Sequence, residues 1–157
     1  CKCGYFPDRN RCRCSEGEVR RYLHRISRPL LDRIDLHAEA RQIQYEELKN
    51  PAGQEETTEQ IRVRVLQAHK IQKKRYAGSR FRFNSQLPSS ALEQYCRLGR
   101  EEEAQMQKVY TGKRMTARAY HRMIKVARTI ADLEGSEEIG MEHLSEAVFY
   151  RPSEFLM

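Results

Sequence analysis

The chain has 157 residues, 39% hydrophobic and 32% charged, enough for one ordinary domain or two small ones. No apolar run approaches the roughly 20 residues needed to cross a bilayer, which excludes a helical membrane span. A formal net charge of +7 and a pI of about 9.3 suit polyanionic partners, but without an RGG or polylysine tract the charge reads as spread over solvated helix faces.

The chain opens on CKCGYFPDRN, polar and turn-rich where a secretory signal would be apolar, so the expected location is the cytoplasm. Residues 1 to 15 form a cysteine-bounded loop with PDRN (Pro7 to Asn10) as its turn. Ser15 reads as an N-cap with Glu18 completing a capping box, and the helix that follows carries Val19, Tyr22, Leu23 and Ile26 at helical spacing. Pro29 ends that helix or begins a new turn. From Ile34 to Ala40 apolar and polar residues alternate, the pattern of a half-buried strand. It is the one clear strand in the sequence, so its pairing partners are expected to lie outside this chain. Residues 49–58 (KNPAGQEETT) are a polar linker.

Beyond the linker the pattern is helical throughout. Ile61, Val65, Ala68 and Ile71 line one face of a helix ending near Tyr76. Pro88 starts a short helix reaching Cys96, and Glu101 to Tyr110 form a third, with Met106, Val109 and Tyr110 inward. Thr116 caps a fourth with an inward stripe of Tyr120, Met123, Ile124, Ala127 and Ala131, and Gly135 ends it. Met141 to Arg151 make the last, on Leu144, Ala147 and Val148. The reading is mainly α: a small helical bundle over residues 59–157, preceded by 1–48 with its cysteine loop, one helix and one strand.

A phosphate-binding loop needs G-x-x-x-x-G-K-[ST], and the nearest approach, Gly112-Lys113, has Gln107 and Arg114 at the other required positions. No acidic pair follows an apolar strand, so Walker B is missing as well. The five histidines are scattered and read as ordinary surface or packed residues. Cys1, Cys3, Cys12 and Cys14 form two C-x-C pairs separated by eight residues. Four thiolates brought together by a turn are the donor set of a tetrahedral zinc site, while a loose loop of four reduced thiols is the plain alternative. Cys96 sits alone on a helix and reads as a small core residue.

The run PLLDRID (Pro29 to Asp35), preceded by C-x-C-G-Y and C-R-C, resembles the ComM competence-protein family, a branch of the magnesium-chelatase-like AAA+ ATPases. The likeness continues through FNSQLP (Phe83 to Pro88), ARAY (Ala117 to Tyr120), VARTIADLEGSEEI (Val126 to Ile139) and EHLSEAVFYR (Glu142 to Arg151), and so covers nearly the whole chain. Two positions depart from it: Lys2 stands where the family usually has Pro, and Arg28 where it has Gly.

The resemblance implies that residues 1–48 are the C-terminal piece of an AAA+ core and 59–157 its helical lid. It implies that Arg33 is an arginine finger reaching the neighbouring subunit's nucleotide, where a planar, permanent charge suits a transferring phosphoryl group. It implies that Arg118 is the sensor-2 arginine on the same subunit's ATP, placed at a helix N-terminus that also favours phosphate. From residue types alone, Arg33 reads first as a salt-bridge partner of Asp32 or Asp35, and Arg122 and Lys125 as a solvated basic face; it is the resemblance that makes Arg33 a finger. The implied whole is a hexameric ring that uses ATP and Mg²⁺ to drive DNA branch migration in natural transformation, while this stretch alone, without Walker motifs, is expected to be inactive. Two other classes stay open: the ATPase subunit of a magnesium chelatase, inserting metal into a tetrapyrrole, and a non-enzymatic, zinc-containing nucleic-acid-binding module.

Overall fold

A computed structural model describes residues 1–38, 40, 43–49 and 56–151. They divide into two units, 1–37 with Arg151, and 38–150. Among the described residues no helix is long and apolar enough to cross a membrane.

In the smaller unit the cysteine loop runs into α1 (Glu16–Leu23). The expected capping box is formed: the Glu18 N–H donates to Ser15 Oγ at 3.3 Å, and the Ser15 N–H donates to Glu18 Oε2 at 2.9 Å. Val19 is buried, whereas Tyr22 stays exposed and Ile26 falls beyond the helix end, so the amphipathic stripe is shorter than its spacing suggests. Pro29 is the second residue of a single turn, α2 (Arg28–Leu31), which buries Leu31. Asp32 accepts from Arg151 Nη2 at 3.4 Å.

The strand expected over 34–40 is not formed by its described residues, 34–38 and 40. A strand holds only when its N–H and C=O groups pair with a neighbour's, and no described segment forms a ladder with this one. Ile34 and Leu36 accordingly remain exposed. The one β contact among the described residues is an isolated parallel bridge between Leu98 and Ile139. Residues 50–55 of the expected linker lie outside the described residues, and Lys49 ends a short helix that its sequence did not announce, α3 (Tyr45–Lys49).

The larger unit holds α4 (Thr58–Arg75), two 3₁₀ turns at Asn84–Gln86 and Ser89–Ala91, α5 (Leu92–Tyr95), α6 (Arg100–Gly112), α7 (Ala117–Glu134) and α8 (Met141–Phe149). The centre is α7, which packs against α8, α4, α5 and the first 3₁₀ turn. Its start is fixed by Thr116, whose Oγ1 accepts from the Ala119 N–H at 3.1 Å. Its end is fixed by Gly135 at φ 79°, a left-handed turn that lets the Ser136 N–H reach back to the Ala131 carbonyl at 2.8 Å. Met106, Met123, Ile124, Ala127, Ile130, Leu144 and Ala147 form the apolar centre, joined by Tyr76, Leu87, Leu92, Cys96 and Ile139. Burying side chains the size of Met123 or Leu144 contributes about 1.5–3 kcal/mol each.

The face expected of α4 is buried only in the second half of the helix. Ile61 and Val65 are exposed, and the inward line is Ala68, Gln72 and Tyr76. Gln72 goes inward because it has a partner there: its Oε1 accepts the Asn84 N–H at 3.1 Å. Asn84 is itself a buried junction. Its Oδ1 accepts from Tyr76 Oη at 2.6 Å and Arg75 Nη1 at 3.2 Å, and its Nδ2 donates to Thr129 Oγ1 at 3.0 Å and Asp132 Oδ2 at 2.8 Å. Burial pushes the Tyr76 phenol up to about 12, which keeps it the donor.

At the end of this seam lies Asp132, with a fully enclosed side chain. It accepts from Arg75 Nη1 at 2.8 Å, from Arg75 Nη2, from Arg128 Nε at 3.1 Å and from Asn84. Four donors match the four lone-pair sites of one carboxylate. The Arg128 fork turns its other nitrogens to the carbonyls of Ser136 (2.7 Å) and Glu137 (2.9 Å), just past the C-terminus of α7, where carbonyls favour a cation. Removing one member of such a buried set strands the others. Asp132→Ala leaves two guanidinium groups without their anion and is expected to cost about 3–5 kcal/mol. Lys125→Met loses its bonds to the Ser85 and Leu87 carbonyls, both 3.2 Å, and is expected to cost about 1–3 kcal/mol. Urea unfolding followed by circular dichroism measures both. A loss below 1 kcal/mol for Asp132→Ala would show the seam to be dispensable.

Candidate functional site

The four expected cysteines come together. The Sγ atoms of Cys1, Cys3, Cys12 and Cys14 all lie within 4.8 Å of one another. Individual separations are 3.3 Å for Cys1–Cys3, 3.5 Å for Cys1–Cys12 and 3.6 Å for Cys3–Cys12. A tetrahedral ion with sulfur ligands at 2.3 Å needs sulfurs about 3.8 Å apart, so Cys1, Cys3 and Cys12 are within a few tenths of an ångström of that spacing and the whole group within about one ångström. Local backbone bonds favour the anionic form at Cys1 and Cys3, while burial and the adjoining Cys3 raise the Cys12 thiol. The Phe6 N–H donates to Cys1 Sγ at 3.3 Å, and a backbone bond at Tyr5, helped by the neighbouring Cys14 and Cys12, lowers the Cys3 thiol to about 7. The turn that closes the loop is held by the Asn10 N–H on Asp8 Oδ1 (2.9 Å) and the Cys12 N–H on the Asp8 carbonyl (2.8 Å). The group can hold a metal ion. Cys96 is the opposite case: buried in the larger unit, with burial pushing its thiol up to about 11.

Arg33 follows α2 in the smaller unit and is exposed, its Nη1 donating to the Pro29 carbonyl at 2.9 Å. That bond to a carbonyl of the preceding turn holds the guanidinium against α2.

In the larger unit, Arg118 is the second residue of α7 and is exposed, beside the free N–H groups and positive dipole of that helix end. Its companions divide. Lys125 is half-buried and ties α7 to the turn at Ser85–Leu87, so it belongs to the scaffold and not to a solvated face. Gly112 and Lys113 lie at the C-terminal end of α6, where carbonyls and the negative dipole end repel phosphate.

Two of the most distinctive runs in the sequence turn out to build the interior. Asn84 in FNSQLP, and Arg128 and Asp132 in VARTIADLEGS, are the buried polar seam. The signal that could have shown this is the i, i+4 spacing of Arg128 and Asp132 within an otherwise apolar helix face.

Two family models match the chain. The model described as "Magnesium chelatase, subunit ChlI C-terminal" covers residues 55–151, and "Magnesium chelatase, subunit ChlI" covers residues 1–48. Competence protein ComM of Haemophilus influenzae is 40% identical over 88% of this chain and 26% of its own length. The proteins YifB of Salmonella typhimurium and Escherichia coli are each 34% identical over 94% of this chain and 28% of their own length. The chain thus spans about a quarter of the length of these relatives. With one model covering well over half of its residues and a second covering its start, the chain belongs to the magnesium-chelatase-like family, with competence protein ComM among its relatives.

Proposed function

We propose that this chain is the C-terminal part of a ring-forming AAA+ ATPase of the cytoplasm, a hexameric motor that drives DNA branch migration. The observation that carries the reading is the agreement of the 1–48 and 55–151 matches with a ComM relative at 40% identity. On this reading residues 1–48 belong to the AAA+ core, 49–58 are a linker and 59–157 form the lid. Arg33 is the arginine finger offered to the neighbouring subunit, and Arg118 is the sensor-2 contact to the γ-phosphate of the same subunit's ATP. ATP and Mg²⁺ would be held at a site built by the remainder of the protein, and ATP hydrolysis there would supply the free energy of the motor. Supporting these roles, both arginines are exposed and neither is part of the buried seam. The chelatase descriptions of the matching models keep a second reading in view, a motor for metal insertion into a tetrapyrrole.

Zinc is the ion proposed for Cys1, Cys3, Cys12 and Cys14, since four thiolates without oxygen donors favour it. Its part here is structural: a four-sulfur site is closed and leaves no position for a reacting molecule. Addition of Zn²⁺ to the metal-free chain is expected to bind one equivalent, release protons and protect these four thiols from alkylation. Cys96 should be alkylated only after unfolding, with or without metal. Mass spectrometry of the alkylated peptides reads all five, and unchanged reactivity at the four positions would remove the metal.

The finger is tested by mixing. In the full-length enzyme Arg33→Ala should abolish turnover, by on the order of 10³-fold or more, while leaving ATP binding intact. Doping that variant with a Walker-A-deficient partner should restore activity, because some interfaces then combine an intact finger with an intact nucleotide site. Arg33→Lys should also fail, since a point charge lacks the fork of donors. A flat ATPase rate across all mixing ratios, in rings shown to exchange subunits, would return Arg33 to a structural role.

A further inference from the structure

The positive charge of this chain is not spread evenly over its helices. From Gln60 to Leu92 there are eight of the 29 basic residues and none of the 22 acidic ones. That segment therefore carries +8, and the rest of the chain is left with a net charge of −1. Two of the eight are engaged at short range: Arg75 by Asp132 and Arg64 by Glu56. Three more, Arg62, Lys70 and Lys73, are exposed on α4 and make no ion pair among the described residues.

Those three share a side. Arg62, Leu66, His69, Lys70 and Lys73 follow i, i+4, i+7, i+8 and i+11, which is one stripe of a helix. Ala68 and Gln72, the buried residues of α4, lie away from that stripe. The stripe extends over roughly 16 Å at 1.5 Å per residue, about the axial length of five phosphates on one strand at 3.4 Å each. An aromatic ring adjoins it. Phe83 is 42% exposed, and its ring lies 5.3 Å from that of His69 at 54°, in the loop that also presents Arg80 and Arg82.

We infer that the outward stripe of α4 and the adjoining Phe83 form a surface that binds a nucleic-acid strand, with Arg62, Lys70 and Lys73 on phosphates and Phe83 stacking against an unpaired base. A line of cations with no interspersed acid attracts a polyanion and gives no preference for sequence. An exposed ring beside such a line is the second component of single-strand binding, since every base offers a face for stacking. A membrane surface is a poorer fit: an interfacial helix must turn one continuous apolar side to the lipid, and beneath Lys70 and Lys73 the opposite side of α4, at Ala68 and Gln72, is turned into the bundle. The inference rests on the reading of DNA as the partner and adds where this part of the protein touches it.

Fluorescence anisotropy of the 157-residue chain with a labelled 20-nucleotide single strand and the matching duplex, from 50 to 200 mM salt, tests it. The triple variant Arg62→Ala, Lys70→Ala, Lys73→Ala is expected to weaken single-strand binding at least tenfold at 100 mM salt. It should also flatten the slope of log K against log salt by about two, since each lost phosphate contact removes about 0.7. A control triple, Arg20→Ala, Arg21→Ala, Lys108→Ala, should change affinity less than twofold. Phe83→Ala should weaken the single strand more than the duplex. Circular dichroism checks that each variant keeps its helices, and Lys70→Glu with Lys73→Glu gives an independent version of the charge test. If the chain binds DNA and the α4 triple binds as tightly as the unmodified chain, the surface is wrong and DNA remains the partner. If the chain binds neither probe at 50 mM salt, the surface is overturned, while the ATPase reading still stands or falls on the mixing of Arg33 variants.

Discussion

The position of one carboxylate decides how the larger unit is assembled. Asp132 is enclosed, and its four acceptor sites are filled from three places: Arg75 on α4, Asn84 in the first 3₁₀ turn, and Arg128 one turn back on α7. Apolar contacts alone would tolerate α4 sliding or turning along α7, because hydrophobic packing has no direction. A bidentate guanidinium on a fixed carboxylate does have direction, and a shift of about one ångström would leave buried donors unpaired. The apolar centre around Met123 and Leu144 supplies most of the driving force, and the seam selects a single arrangement from those the apolar faces would allow. Burial pulls the Arg128 guanidinium below its ordinary value, and the carboxylate and carbonyls around it hold the charge in place.

This division explains which parts of the fold were legible in the sequence. Helix ends were, because Ser15, Thr116 and Gly135 act through their immediate neighbours and their chemistry is local. The inward stripe of α7 was, because Met123, Ile124, Ala127 and Ala131 are apolar at helical spacing. The seam was not. Gln72, Asn84, Arg128 and Asp132 are residue types that usually face water, and only a partner far along the chain makes their burial tolerable. The same blindness passed over Gln72, which is polar but lies on the face of α4 that Ile61, Val65 and Ala68 mark. The strand failed for a related reason: alternation at 34–40 states which side of a strand would be buried, but a strand exists only as part of a ladder. The cysteine spacing was legible as a cluster, since two C-x-C pairs joined by a turn have few other ways to close.

The smaller unit has a different economy of stabilisation. Its buried apolar residues among those described are Cys12, Val19 and Leu31, far too few to offset the entropy of ordering some 37 residues by burial alone. Units of this size are held by cross-links or metals more often than by cores. The capping box at Ser15 and Glu18 follows directly on Cys14, so whatever fixes the four sulfurs also fixes where α1 begins.

The shape of α4 has a mechanical consequence. Its second half is clamped into the bundle at Ala68, Gln72 and Arg75, while its first ten residues, Thr58 to Gln67, are all exposed. A continuous α-helix is stiff over such a distance, so those ten residues form a cantilever about 15 Å long with its root at the Asp132 seam. A sideways load applied near the tip becomes a torque at the root, and the root is bonded to α7. The helix that carries Arg118 at its far end would therefore tilt with the cantilever as one piece, with no hinge between the place where load enters and that arginine.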